Sequence, residues 1–257
     1  MIVAHRGASR DAPENTIPAF KLAWEQEADA IEGDFHLTKD GHIVCIHDGN
    51  TKRVSKTNLV VRNSTLAELR ALDVGAHHGE VFKGIVIPTI AEVFSTIPDQ
   101  KTIYIEIKCG AEIIPVLIEE IRKSGLNRKQ IVVICFEEKV LEELKAKAPQ
   151  YKTFWLCNFK KQKSGAITPP LDTVLETLML TKADAISSNV AIPDTFIDAI
   201  KEHNYEWHVW TVNDLKTAKS MKAQGAKSIT TDVPGYIKKN LTKQSSAGDD
   251  LKAVPEE

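Results

Sequence analysis

Short apolar, β-branched runs alternate with segments of helical period along almost the whole chain, and that alternation leaves few folds open. The runs are Ile2–Ala4, Ala30–Leu37, Ile43–Ile46, Thr102–Ile107, Ile131–Phe136, Thr153–Leu156, Ala185–Ser187, Trp207–Val212 and Ser228–Thr231. Between them, Glu14–Ala28 sets Ile17, Phe20, Leu22 and Trp24 at apolar positions, and Glu137–Ala148 does the same with Val140, Leu141 and Leu144. Glu112–Ser124 carries Ile113, Val116, Leu117, Ile118 and Ile121. Asp194–His203 and Asp214–Gln224 each open on an aspartate suited to capping a first turn. Strands alternating with helices of this length call for a parallel sheet. With Ile43–Ile46 taken as an excursion of the second unit, eight strand–helix units remain in about 240 residues, which matches an α/β fold of the closed (β/α)8 TIM-barrel kind. An open doubly wound sheet fits less well, because no G-x-G-x-x-G turn follows the first strand.

One barrel therefore accounts for residues 1–240. Residues 48–88 break the rhythm: they are rich in Asn, Thr, Gly, Asp and His, with one short helix expected at Leu66–Leu72. They read as a small insertion over the barrel mouth. The polar stretch 241–257 reads as a poorly ordered tail. The chain is 42% hydrophobic, enough for a large core, and its formal net charge of -2 gives no electrostatic case for nucleic acid. No run is long and apolar enough for a membrane span, so no stable membrane insertion is expected. Cys45, Cys109, Cys135 and Cys157 form no C-x-x-C pair and read as buried free thiols. No leader pattern is visible at the N-terminus, so the chain reads as cytoplasmic, or as secreted or periplasmic if a signal peptide has been removed. The oligomeric state is not legible.

The polar residues at the strand ends define a site. Alternation places Glu32 and Asp34 on one face of their strand, and Glu106 and Lys108 on one face of theirs. Three carboxylates converging at inward C-terminal strand ends repel one another in low dielectric. One bound divalent cation would relieve that repulsion, and oxygen-only ligands favour Mg²⁺ or Ca²⁺. His5 and His47 end their strands beside this cluster, and histidine can remove and deliver protons near neutral pH. Arg6 can bind two phosphoryl oxygens, and Lys108 can neutralise charge that grows during reaction. Metal-assisted cleavage of a phosphodiester needs these groups.

Other residues have weaker assignments. Phe136 and Trp210, at the ends of their strands, read either as barrel core or as surfaces against which substrate stacks. Glu14, Asn15 and Thr16 read chiefly as a helix start, with a minor site role for the first two. His36 shares the face of Glu32 and Asp34. Thr38–Gly41 reads as a turn, His77 and His78 as solvent-facing, and Asp232 as an N-cap.

The ordered set H-R-G, A-P-E-N-T, E-x-D-x-H-L-T-K-D-G, H-D, E-I-K, W-T-V-N and T-D-x-P resembles the glycerophosphodiester phosphodiesterase family over nearly the whole chain. The resemblance implies a (β/α)8 barrel with an inserted segment after the His-Asp pair. It also implies hydrolysis of glycerophosphodiesters to an alcohol and sn-glycerol 3-phosphate. Metal ligands would map to Glu32, Asp34 and Glu106, acid/base histidines to His5 and His47, and phosphate contacts to Arg6 and Lys108. Two departures stand out: Gly33 replaces a larger apolar residue between the acids, and Glu27 replaces a helix-capping glycine. The alternative is a related barrel phosphodiesterase acting on lysophospholipids or phosphoinositides. It would need an apolar rim, for which the insertion offers only Val74, Val81, Phe82 and Ile85.

Overall fold

The computed structural model describes residues 1–247 of the chain, with side-chain surroundings through residue 242. Eight parallel strands follow one another around a closed barrel. They are β1 (Ile2–Ala4), β2 (Ala30–Leu37), β3 (Thr102–Ile107), β4 (Ile131–Cys135), β5 (Lys152–Cys157), β6 (Ala185–Asn189), β7 (Glu206–Trp210) and β8 (Ile229–Thr231). Closure comes from β1, which pairs with β2 through Val3 and Ala30 and with β8 through Ile2 and Ile229. The expected TIM barrel is what the chain forms.

Both faces of such a sheet are buried, which is why its strands read as near-continuous apolar runs. Val3, Ala30, Tyr104, Val132, Ile134, Phe154, Leu156 and Ala185 fill the barrel interior. Their strand neighbours, among them Ile31, Phe35, Ile103, Ile105 and Val133, pack outward with the helical residues Phe20, Leu117, Ile121, Leu141 and Leu178. His208 is part of the interior: its ring stacks on Phe154 at 4.1 Å and its Nδ1 lies 2.7 Å from Ser228 Oγ. This histidine is a buried core residue, and burial lowers its pKa.

Helices Ile17–Glu25, Ile114–Ser124, Glu138–Lys147, Leu171–Thr181, Asp194–Glu202, Leu215–Ala223 and Pro234–Ala247 cover the barrel. Thr16 caps the first, and Asp214 caps Leu215–Ala223 by accepting from the Thr217 amide at 2.8 Å. Asp194 is not a cap. The extended Pro193 takes that position, and the Asp194 carboxylate instead accepts from the Gln224 side-chain amide at 2.9 Å. A small antiparallel hairpin, Lys160–Lys161 with Ile167–Thr168, follows β5. Two-residue strands carry too little pattern to be read in advance.

The segment after β2 starts with Ile43–Cys45, antiparallel to β2, and includes short helices at Leu66–Arg70 and Ile90–Phe94. Thr65 with Glu68 and Thr89 with Glu92 form capping boxes at their starts. Val54, Val61, Leu69, Val74 and Ile87 make a small core of their own with Val44 and Ile46. At the other end of the chain, Pro234–Ala247 runs as helix into the span expected to be a loose tail. The rest of that span, 248–257, lies outside the described residues. All four cysteines are free, and three are buried. Among the described residues no helix is long and apolar enough to cross a membrane.

Candidate active site

The barrel register brings the acids together. Asp34 stands directly beside Glu106 across β2 and β3, and Glu32 lies two residues earlier on the same face. One oxygen from each of the three buried carboxylates lies within 4.8 Å of the others. Glu32 Oε1 and Asp34 Oδ1 are buried without hydrogen-bond partners. Burial and the nearby Asp34 charge push the Glu32 carboxyl up to about 8, and the same causes raise Glu106. Burial would raise Asp34 too, but Arg6 and Lys108 hold it below the usual carboxylate range. Two orphaned oxygens in an all-oxygen triad fit a hard divalent cation, which would satisfy both and remove the repulsion.

Gly33 does not disturb this arrangement. It faces the opposite side of the strand, where a Cβ would come within 3.1 Å of Cys45 Sγ and 3.2 Å of Phe20. Those two side chains fill the room a larger residue would take.

The loop after β1 wraps the triad from above. Arg6 and Asn15 have left-handed backbones at φ 55° and 57°. The Arg6 amide donates to Glu32 Oε2 at 2.8 Å, and its guanidinium lies 3.1 Å from both Asp34 Oδ2 and Glu14 Oε1. Asn15 clamps Asp34 twice: its Nδ2 donates to Oδ2 at 2.8 Å, and its Oδ1 accepts from the Asp34 amide at 3.1 Å. Asn15 is therefore a support for the triad, while Thr16 alone is the helix cap. In the sequence Asn15 has a helix-start reading with a minor site role, because Asn and Thr are both good caps and the Asp34 contact is invisible in a linear chain.

Each histidine is held at Nδ1 by a carboxylate. His5 Nδ1 donates to Asp232 Oδ1 at 2.7 Å, and Asp232 also accepts from Ser9 at 3.1 Å and Asn213 at 2.6 Å. Asp232 is thus the partner of His5, a role that the N-cap reading missed. Burial would raise its pKa, but the His5 hydrogen bond and charge bring it to about 2. Burial would lower the His5 pKa, and the Asp232 hydrogen bond and Glu32 charge carry it above the usual value instead. His47 Nδ1 donates to Asp48 Oδ1 at 2.7 Å, while its Nε2 lies 3.4 Å from Lys108 Nζ. Lys108 in turn pairs with Glu106 at 2.7 Å. His36 stands behind this group and donates to the His47 carbonyl at 3.2 Å, supporting the backbone.

One open pocket of about 170 Å³ is lined by His5, Arg6, Glu32, His47, Glu106 and Lys108 on its polar side. Ile134, Phe136, Leu156 and Trp210 form the apolar wall opposite. Phe136, 41% exposed, meets Trp210 edge to face at 5.8 Å, and Lys108 Nζ lies 6.0 Å from the Phe136 ring. Trp210 is fixed by its Nε1, which donates to the Ser187 carbonyl at 3.0 Å. Both aromatic rings line the pocket, and Trp210 also packs against the interior core. His77 is exposed on the insertion and His78 packs on Phe82 at 5.4 Å.

The model of the glycerophosphoryl diester phosphodiesterase family matches residues 5–236. A curated relative, the glycerophosphodiester phosphodiesterase of Caldanaerobacter subterraneus, is 34% identical over 91% of this chain and 94% of its own. The chain belongs to the glycerophosphoryl diester phosphodiesterase family. With that family comes its reaction class: the chain is a phosphodiester hydrolase. The fold is shared with an Oleispira antarctica phosphodiesterase solved with its product sn-glycerol 3-phosphate, at TM-score 0.85, 24% identity, and coverage of 94% of this chain and 96% of that one. It is also shared with the glycerophosphodiester phosphodiesterase of Thermotoga maritima, at TM-score 0.74, 25% identity, and coverage of 93% and 97%. Glu27, just past the first helix, adopts φ 61°, a left-handed backbone that a glycine takes without strain.

Proposed function

We propose that this chain hydrolyses water-soluble glycerophosphodiesters to an alcohol and sn-glycerol 3-phosphate, with His5 and His47 as the acid/base pair. The observation that carries the reading is the setting of the two imidazoles. Each has Nδ1 committed to a carboxylate, and both line one pocket beside the same buried triad. That leaves Nε2 of each as the proton-exchanging atom. One takes the proton of the attacking hydroxyl, and the other delivers a proton to the departing alkoxide as its P–O bond breaks. Glu32, Asp34 and Glu106 would hold Mg²⁺ or Ca²⁺, which when bound supplies positive charge to the phosphoryl oxygens and orients a hydroxyl. Lys108 and the Arg6 guanidinium stand at the rim of the triad to meet the remaining phosphoryl charge. Glycerol carbons fit the Phe136 and Trp210 wall.

A lipid substrate has less support. Val74 is buried and Ile85 packs into the insertion core, so of the four apolar residues only Val81 stands fully out, at 86% exposure. That is no rim for an acyl chain.

The test is release of glycerol 3-phosphate from glycerophosphocholine, -ethanolamine, -glycerol and -inositol, with and without EDTA. Release from at least one, lost in EDTA and restored by Mg²⁺ or Ca²⁺, is the expected result. No release from any of them overturns the substrate class. Full turnover after exhaustive chelation overturns the metal role. Trapping a cyclic glycerophosphate would identify the neighbouring glycerol hydroxyl, rather than water, as nucleophile.

A further inference from the structure

Arg53 lies in the insertion, six residues past His47, and belongs to none of the roles above. Its guanidinium nevertheless bridges both halves of the site. Nε donates to Asp48 Oδ2 at 2.9 Å, while the two terminal nitrogens donate to Glu14 at 2.7 and 2.8 Å. Asp48 uses its other oxygen to hold His47, and Glu14 Oε1 also accepts from Arg6. The result is an unbroken chain His47–Asp48–Arg53–Glu14–Arg6–Asp34, running from one imidazole to a triad carboxylate.

We propose that Arg53 is a positioning residue that locks the inserted segment onto the barrel, fixing the His47 imidazole and the Arg6 guanidinium in one frame. Three features carry this. The fork is fully used, with separate edges facing two carboxylates, a geometry a lysine cannot reproduce. Both carboxylates have a second partner that lines the pocket, His47 for Asp48 and Arg6 for Glu14, so each is held on both sides. And Arg53 is itself 43% exposed, where an ion pair adds little to fold stability, so its effect falls on geometry rather than on folding. His47 sits on a short segment outside the barrel wall, and without this brace its aim depends on an insertion whose core is separate from the barrel's.

This role rests on the phosphodiesterase reading, and the experiment separates the two. Glycerol 3-phosphate release is measured for wild type, Arg53→Lys, Arg53→Ala, His47→Ala and the double variants, alongside thermal melts. Arg62→Lys, elsewhere on the insertion surface, is the control. Misplacing a reacting group by about 1 Å costs roughly 100-fold, so both Arg53 variants are expected to lose about 10- to 100-fold in kcat, with smaller changes in KM. Combined with His47→Ala, their effect should fall well short of the product of the single losses, because part of it acts through His47. If a variant melts lower, the double variants still decide: loss of folded protein multiplies with His47→Ala, whereas lost aim does not. Unchanged kcat in both variants, or losses that multiply, overturns the positioning role. An inactive wild type overturns the assigned reaction itself.

Discussion

His5 Nδ1 lies 2.7 Å from Asp232 Oδ1, so the residue that follows the first barrel strand is oriented by one that follows the last. The two are 227 positions apart, and closure of the barrel alone makes them neighbours. In the proposed mechanism Asp232 keeps the proton on Nδ1 and leaves Nε2 for the substrate, the task a carboxylate performs for imidazole in many hydrolases.

Asp232→Asn should therefore lower kcat by roughly 10- to 100-fold, with the melt nearly unchanged at alkaline pH, where His5 is neutral. Asp232 raises the His5 pKa in the folded state. Stability from the charged pair is thus complete below the unfolded histidine value and is lost as pH rises through the raised folded one. Removing Asp232 should move the His5 titration, followed by ring-proton NMR, to lower pH. A His5 titration that stays in place in the variant would show that Asp232 does not set its protonation.

The triad predicts an unusual pH profile for the metal-free protein. Glu32 titrates near 8 when folded against an ordinary value of 4.5. Between those values the folded state holds the proton more tightly than the unfolded chain, so stability falls as pH rises through the window. The slope is at most about 1.4 kcal/mol per pH unit for one proton. Added Mg²⁺ or Ca²⁺ should flatten this decline. Glu32→Gln should flatten it as well, in chelator and without metal. Melts in EDTA from pH 5 to 8 would measure it, and a flat wild-type curve would contradict the predicted coupling.

The histidines can be told apart by leaving group. His5→Ala and His47→Ala should each reduce kcat by about 10²–10⁴-fold on alkyl esters. If His47 protonates the leaving alkoxide, its loss should matter little for a nitrophenyl ester, while the His5→Ala defect persists. Rescue of His5→Ala instead exchanges the roles, and rescue of neither means that both act mainly by binding phosphate. His77→Ala, remote on the insertion surface, should be close to wild type.

Two backbone positions have opposite expectations. Gly7 adopts φ 82°, and a Cβ there would meet Ala19 backbone atoms at 2.6 Å. Gly7→Ala should destabilise by well over about 1 kcal/mol, since strain and clash act together. Glu27 is exposed and left-handed, so Glu27→Gly should stabilise by about 0.5–1 kcal/mol. Urea midpoints would decide both.

Strand and helix periods in the sequence determined the barrel, because a strand buried on both faces and a helix buried on one leave patterns that survive in a linear chain. Alternation also determined that Glu32 shares a face of its strand with Asp34, and Glu106 a face of its strand with Lys108. The chemical types needed for phosphodiester cleavage were likewise present in short motifs. Only the tertiary structure decided which supports hold them. Asp232 on His5, Asn15 on Asp34, and Arg53 between Asp48 and Glu14 are contacts across 227, 19, 5 and 39 positions. Each of these residues looks in sequence like an ordinary cap or surface charge. Local pattern reports which face a side chain is on, while a hydrogen bond between distant segments depends on barrel closure and register, and no local pattern encodes its partner.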